Sequence, residues 1–343
     1  MPEFKTLRLG CYSRRFDVSV LWRLLLALMV FLLVMLLSLC LGKIPLSPIA
    51  ALRVLFSGDV GGIAFIVGQL RLPRILLAAL VGAGLGMSGL ILQCLVRNPL
   101  ASPDLLGISS GASAAAVIYL SFFSLVFGSA GLPFAAIAGA YLAIAVVYIL
   151  SWRRGVSPLR LVLTGVGVSA LLTAVSTFIL VFTPLTTTLS AYVWLAGSVY
   201  GATWQDVRSL GSWWLGYLPA LILLSRHVVV QQLDDGLATG IGAQVQTQRA
   251  LLLMLSVALA GAAIAWGGGM AFVGLIAPHL ARRMAGSGFV GLSVMTIFCG
   301  ATLVMFADII GRVVFLPADL PAGIFVAVLG TPFFLWLLIK QRR

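Results

Sequence analysis

The sequence predicts an all-α, polytopic membrane protein with about ten transmembrane helices in a single domain over residues 1–343. Three observations carry this. Of the 343 residues, 61% are hydrophobic and only 9% are charged, against about 25% charged in soluble domains. The apolar residues fall into long runs near the roughly 20 residues that cross a hydrocarbon core of about 30 Å. Short segments with Gly, Pro and cations separate the runs and leave no room for a second, soluble domain.

Each element follows from its run. The first span, about 19–41, is too long for a signal-peptide core and has no small-residue cleavage site after it, so it reads as a retained span. A polar stretch with Lys43, Arg53 and Asp59 follows, with room for a short amphipathic helix. Span 2, about 72–93, opens with Pro73, which suits a first helical turn where its missing N–H costs nothing. It carries Gly82, Gly84, Gly86 and Gly89, and such small faces let helices approach closely in lipid. Spans 3 and 4 cover about 105–127 and 132–152, and span 5, about 158–182, holds Gly165 and Gly167. A Thr-rich loop and a short helix near 188–198 precede span 6, about 207–225. The stretch 226–248 is hydrophilic. Span 7 covers about 249–265, and the Gly/Pro-interrupted segment 268–281 is the weakest candidate, taken as span 8. Spans 9 and 10 cover about 289–311 and 321–339. A short echo between LILQCLVRNPLA at 90–101 and LIAPHLA at 275–281 hints at an internal duplication.

Charge sets the expected orientation. Of the 22 Lys and Arg residues, only Lys43, Arg53, Arg71, Arg74, Arg208 and Arg312 fall on one side, and the other sixteen share the side of the N-terminus. The positive-inside rule then puts both termini in the cytoplasm, which needs an even number of spans. The formal charge of +13 is thereby explained by topology, with no basic stripe for nucleic acid.

Several functions are disfavoured. His227 and His279 have no partner at metal-ligand spacing, no CxxC pair exists among Cys11, Cys40, Cys94 and Cys299, and no nucleophile–base set is visible. Neither a catalytic nor a metal site is expected. The lysines Lys5, Lys43 and Lys340 fit no phosphate-binding loop, so any ATP is bound by another chain. Among the acids only Asp308 falls inside a span, four residues before Arg312, a spacing that suits a simple ion pair. Ion-coupled transporters rely on more such groups, so secondary transport is a remote alternative.

Two features suit protein docking. Arg71, Arg74 and Arg312 lie at the outer side, where they either meet an acidic partner or anchor at the interface by snorkelling. The inner loop at about 230–245 contains Leu233-Asp234-Asp235-Gly236-Leu237-Ala238-Thr239-Gly240-Ile241-Gly242. Its acids suit a helix N-terminus and its last glycines suit a turn.

The chain resembles the FecCD-type permeases of ATP-binding-cassette (ABC) importers for iron–siderophore, haem and cobalamin, with a fold of the type II importer class. The resemblance covers essentially the whole chain. It rests on RLPR at 71–74, GAGLGMSGLILQ at 82–93, RNPLASPDLLGISSGA at 97–112, FVGLIAPHLAR at 272–282, ADIIGR at 307–312 and LPAG at 320–323. It implies ten helices, a second permease subunit (identical or paralogous), two cytoplasmic ATPases using ATP and Mg, and a periplasmic or lipid-anchored binding protein. The chain itself would bind no cofactor and no nucleic acid, and would sit in lipid in the bacterial inner membrane. The resemblance tips Arg71, Arg74 and Arg312 toward docking the binding protein. It makes 233–242 the coupling loop, where Asp235, Ala238 and Gly242 fit the family pattern while Asp234 stands for a Gly and Ile241 for a Leu. It implies a translocation pathway lined by Gly165, Gly167, Ser169 and Thr173. Ferric siderophore is the expected cargo, with cobalamin or haem as the alternative.

Overall fold

The computed structural model describes residues 4–9, 12–57, 61–285 and 288–341. Thirteen helices follow a short antiparallel hairpin, β1 (Phe4–Leu9) and β2 (Tyr12–Asp17), in which Phe4 pairs with Asp17 and Leu9 with Tyr12. The hairpin departs from a purely helical expectation. The alternation Leu7-Arg8-Leu9 has the period of a strand, but it is too short to stand out beside a long apolar run.

The helices are α1 (Val18–Cys40), α2 (Pro48–Ser57), α3 (Gly62–Val96), α4 (Ile108–Phe127), α5 (Leu132–Ser151), α6 (Pro158–Phe182), α7 (Leu185–Leu195) and α8 (Trp204–Val230). They continue with α9 (Asp235–Gly240), α10 (Val245–Gly267), α11 (Val273–Ala285), α12 (Phe289–Val313) and α13 (Ala322–Gln341). Nine of the described helices are long and apolar enough to cross a membrane. α11, with 13 residues, rises only about 20 Å. The expected span 8 is therefore a helix too short to cross by itself, entered through non-helical backbone at 268–272. Gly268 and Phe272 both adopt left-handed backbone there, with φ of 71° and 66°.

The packing is layered around α3 and α10, whose central windows are 83% and 78% buried, against 11% for α1 and α8. The glycines of α3 explain its central place. A Cβ on Gly82 would lie 2.1 Å from the carbonyl oxygen of Gly300 on α12. One on Gly89 would overlap the backbone of Gly274 on α11. Backbone-to-backbone contact is what a small-residue face supplies where lipid gives no hydrophobic drive. Trp214 of α8 closes another side, donating its indole N–H to Leu80 O at 3.2 Å. The two echoing steps sit differently on their helices. Asn98-Pro99 follows the end of α3, whereas Pro278-His279 lies inside α11.

Between α3 and α4 the chain, 97–107, runs back along the bundle. Pro103 packs against Gly274, and Asp104 accepts from Phe272 N at 3.4 Å and from Ser109 Oγ at 2.6 Å. Irregular backbone at this depth is tolerated because protein, not lipid, surrounds it.

Candidate functional site

At the end of the bundle where α1 finishes, five charged side chains form one network. α1 leaves its last carbonyls without helical partners and carries partial negative charge there. Arg71 donates to Leu39 O at 2.5 Å, to Cys40 O at 3.2 Å and to Ile44 O. Arg312 donates to Ser38 O at 2.5 Å and to Ser38 Oγ at 2.6 Å. Two arginines from other helices thus cap α1.

Arg74 lies between them. Its guanidinium binds Asp308 through Nε at 2.9 Å and Nη2 at 2.7 Å, and reaches both oxygens of Asp319 at 2.8 Å. The planar, five-donor guanidinium suits two carboxylates at once. Tyr200 stacks its ring 5.6 Å from the Arg74 guanidinium carbon. Burial lifts the Asp319 carboxyl, but the Arg74 hydrogen bonds outweigh this and hold it below the ordinary range. The expected i,i+4 pair exists only as a long 3.8 Å contact between Arg312 and Asp308, whose close partner is Arg74. Arg71, Arg74 and Arg312 are all buried, at 7%, 9% and 7% exposure. Their guanidinium groups hold internal partners; they do not project as free docking cations. The exposed cations near this end are Lys43, Arg53 and Arg208.

At the opposite end, α9 is a six-residue helix between α8 and α10. Asp234 caps it by accepting from Gly236 N at 3.1 Å, and Gly242 makes the following turn with φ of 83°. Asp235 is held by two arginines. Arg97 Nη2 donates to its Oδ1, and Arg249 Nη2 reaches the same oxygen at 2.8 Å. Arg97 also donates from Nε to Gln231 O at 2.9 Å, and Arg249 donates to Val156 O. Arg249 is fully buried, and Ala238 packs inward at 1% exposure. Partial burial lifts the Asp235 carboxyl, but the bonds from Arg249 and Arg97 prevail and hold it below the ordinary range. The clasp links the end of α3, the α5–α6 turn and the start of α10 to one short helix. Its outer side chains, Leu237 and Ile241, are 66% and 67% exposed.

Arg97 and Arg249 escaped the sequence reading, which counted them only as inside charges. Arg97 gives one signal in hindsight: it ends α3 in left-handed backbone, φ 57°, where glycine is the default.

The four expected pathway residues divide. Gly165 is buried against the backbone of Leu105 and Leu106, and Ser169 is tied to Ser110 Oγ at 3.1 Å and Asp104 O at 3.2 Å. These two pack α6 on the 97–107 segment. Gly167 and Thr173 lie on the exposed face of α6.

A multi-span helical bundle with a short, acid-capped helix clasped at one end is the architecture of a membrane transport subunit. The chain belongs to the FecCD transport family, whose model matches residues 29–340. It is 63% identical over 336 residues to the achromobactin transport system permease protein CbrC of Dickeya dadantii (strain 3937), covering 98% of this chain and 96% of that protein. It is 40% identical to the iron(3+)-hydroxamate import system permease protein FhuG of Bacillus subtilis (strain 168), covering 88% and 92%. A solved chain of a metal-chelate type ABC transporter in an inward-facing conformation superposes with a TM-score of 0.81 at 29% identity, covering 94% of this chain and all of that one.

Proposed function

We propose that this chain is the permease subunit of an ABC importer that moves a ferric siderophore across the bacterial cytoplasmic membrane by alternating access. The observation that carries the reading is end-to-end similarity to an achromobactin permease protein, joined to a short helix clasped at one end of the bundle. The α9 end faces the cytoplasm with both termini. Two ATPase subunits, using ATP and Mg, grip α9 there through its exposed Leu237 and Ile241. A second permease subunit, identical or paralogous, packs against the exposed faces of α6 and α7. The conduit lies between the two copies, with Gly167 and Thr173 on its wall.

The end bearing Arg71, Arg74 and Arg312 faces outward and receives a periplasmic or lipid-anchored binding protein. The three arginines act on docking by tying α3 to the ends of α1 and α12 and to the 314–321 loop. Each ligand or partner shifts the inward–outward equilibrium only through unequal affinity for the two states.

The test is uptake into vesicles carrying the permease with its ATPase and binding protein. Radiolabelled ferric achromobactin enters in an ATP-dependent manner, and Arg71→Glu with Arg312→Glu weakens the binding-protein stimulation of ATP hydrolysis. Uptake of cobalamin or haem with no uptake of ferric siderophore would overturn the cargo. Uptake that survives ATP depletion would overturn the importer itself.

A further inference from the structure

A cavity of about 600 Å³ opens at the α9 end, between α3, α8, α11 and α12. Its polar side carries Gln93 and Arg97 of the α3 end, Gln232 beyond α8, and Arg282 in the last turn of α11. Its apolar side carries Val229 and Phe289. Among the described residues the lining holds two arginines and no carboxylate. Arg97 shares its charge with Asp234 and Asp235. Arg282 does not: its Nη1 donates to the neutral amide oxygen Gln93 Oε1 at 2.6 Å, and among the described residues no carboxylate lies within 4.0 Å of it. Gln93, only 2% exposed, holds that guanidinium in place without neutralising it.

The apolar side bears on what fills the space. Val229, in the last turn of α8, is 49% exposed, and Val290, beside Phe289 at the start of α12, is 47% exposed. α8 is among the least buried helices of the bundle. A fixed cation with no carboxylate partner among the described residues therefore sits at the end of the long apolar helices, and apolar side chains form the rim beside it. A ligand that fits both sides has an anionic phosphate and an acyl-bearing glycerol.

We propose that this cavity binds the headgroup of an anionic phospholipid, with Arg282 as the phosphate-binding cation and Arg97 beside it. The assignment rests on the membrane reading and is independent of the cargo. It places a lipid against the same arginine that holds α9.

Native mass spectrometry of the full-length permease, released from bilayers of phosphatidylcholine mixed with phosphatidylglycerol, tests it. Wild type retains phosphatidylglycerol in preference to phosphatidylcholine. Arg282→Gln lowers that preference about fivefold, near the contribution of one cation at an anionic surface. Arg282→Lys keeps most of it, and Arg53→Gln on the distant α2 leaves it unchanged. Equal retention of the two lipids by wild type, or no effect of Arg282→Gln, would overturn the site. Displacement of the lipid by inorganic phosphate would assign the cavity to a free anion. Loss of the lipid when the ATPase assembles would make it a protein contact. Either result overturns the lipid assignment. If Arg282→Gln does not fold, the wild-type preference and the Arg282→Lys result decide the matter.

Discussion

Arg74, inside α3, and Arg97, at its C-terminal end, respond to replacement differently. Arg74 compensates Asp308, which is 2% exposed. Removing one partner of a buried charge pair costs about 3–5 kcal/mol, because the other is left uncompensated. Arg74→Ala should therefore lower the thermal unfolding midpoint in detergent sharply, while Arg53→Gln on exposed α2 leaves it unchanged. Arg97 instead occupies left-handed backbone that favours glycine. Arg97→Gly relieves left-handed backbone by up to about 1 kcal/mol but gives up the charged bond to Asp235, of similar size, so stability should change little while ATPase coupling in vesicles falls. Equal loss of stability and coupling would show that the side chain serves the fold alone. Only part of this was legible in the sequence. Asp308 and Arg312 are four apart and visible as a pair, but the dominant partner of Asp308 lies 234 residues away, on another helix. RLPR reads as a motif; that its first arginine caps the end of α1 depends on how α1 and α3 meet.

At the scale of elements, α9 shows what local sequence does specify. Asp234 and Asp235 suit a helix start and Gly242 the turn after it, and the structure places both there. What holds the element is not local, since Arg97 is 138 residues from Asp235. Because the Asp235 carboxyl is held below its ordinary value of 3.8, the clasp is fully formed above that value. It is lost only as pH falls through the depressed one. Hydrogen exchange across 231–245 should accordingly be flat between neutral and mildly acidic pH, once corrected for intrinsic rates. Asp235→Asn should speed exchange at every pH in that range. Charged hydrogen bonds contribute about 1.5–3 kcal/mol when dry; solvent at Asp235 reduces this to about 1 kcal/mol, or roughly fivefold in rate. A wild-type clasp that loosens between pH 7 and 5 would point to a different titrating group. α11 marks the limit of reading by hydropathy. Its Gly/Pro interruptions announced an irregular crossing, but not the contact between Phe272 N and Asp104 that joins it to the 97–107 segment.

For the whole molecule, the question is parity. Nine long helices alone would leave the termini on opposite sides of a membrane; the proposed orientation needs α11 with its non-helical approach to supply a tenth crossing. That approach is acceptable inside the bundle because its polar groups are met: Gly268 N donates to Ile264 O at 2.8 Å and Gly269 N to Trp194 O at 3.3 Å. Long apolar runs made the other nine spans legible, since lipid imposes a length on each. The packing of α7 on that approach was not legible, because it depends on a close meeting of backbones at Gly197 and Gly269. Five long helices, α3 to α6 and α8, separate α2 from α9 and put the two on opposite faces, and in the proposed orientation the bias of cations puts α9 inside. Single cysteines at Arg53→Cys on α2 and Leu237→Cys on α9, in a background without native cysteines, separate the alternatives. Both positions are exposed, and among the described residues neither side chain caps a helix or holds an ion pair. An impermeant maleimide added to intact spheroplasts should label Arg53→Cys and spare Leu237→Cys until the membrane is opened. Reversed labelling would invert the orientation, and labelling of both from outside would mean that the five long helices between them, α3 to α6 and α8, do not all cross.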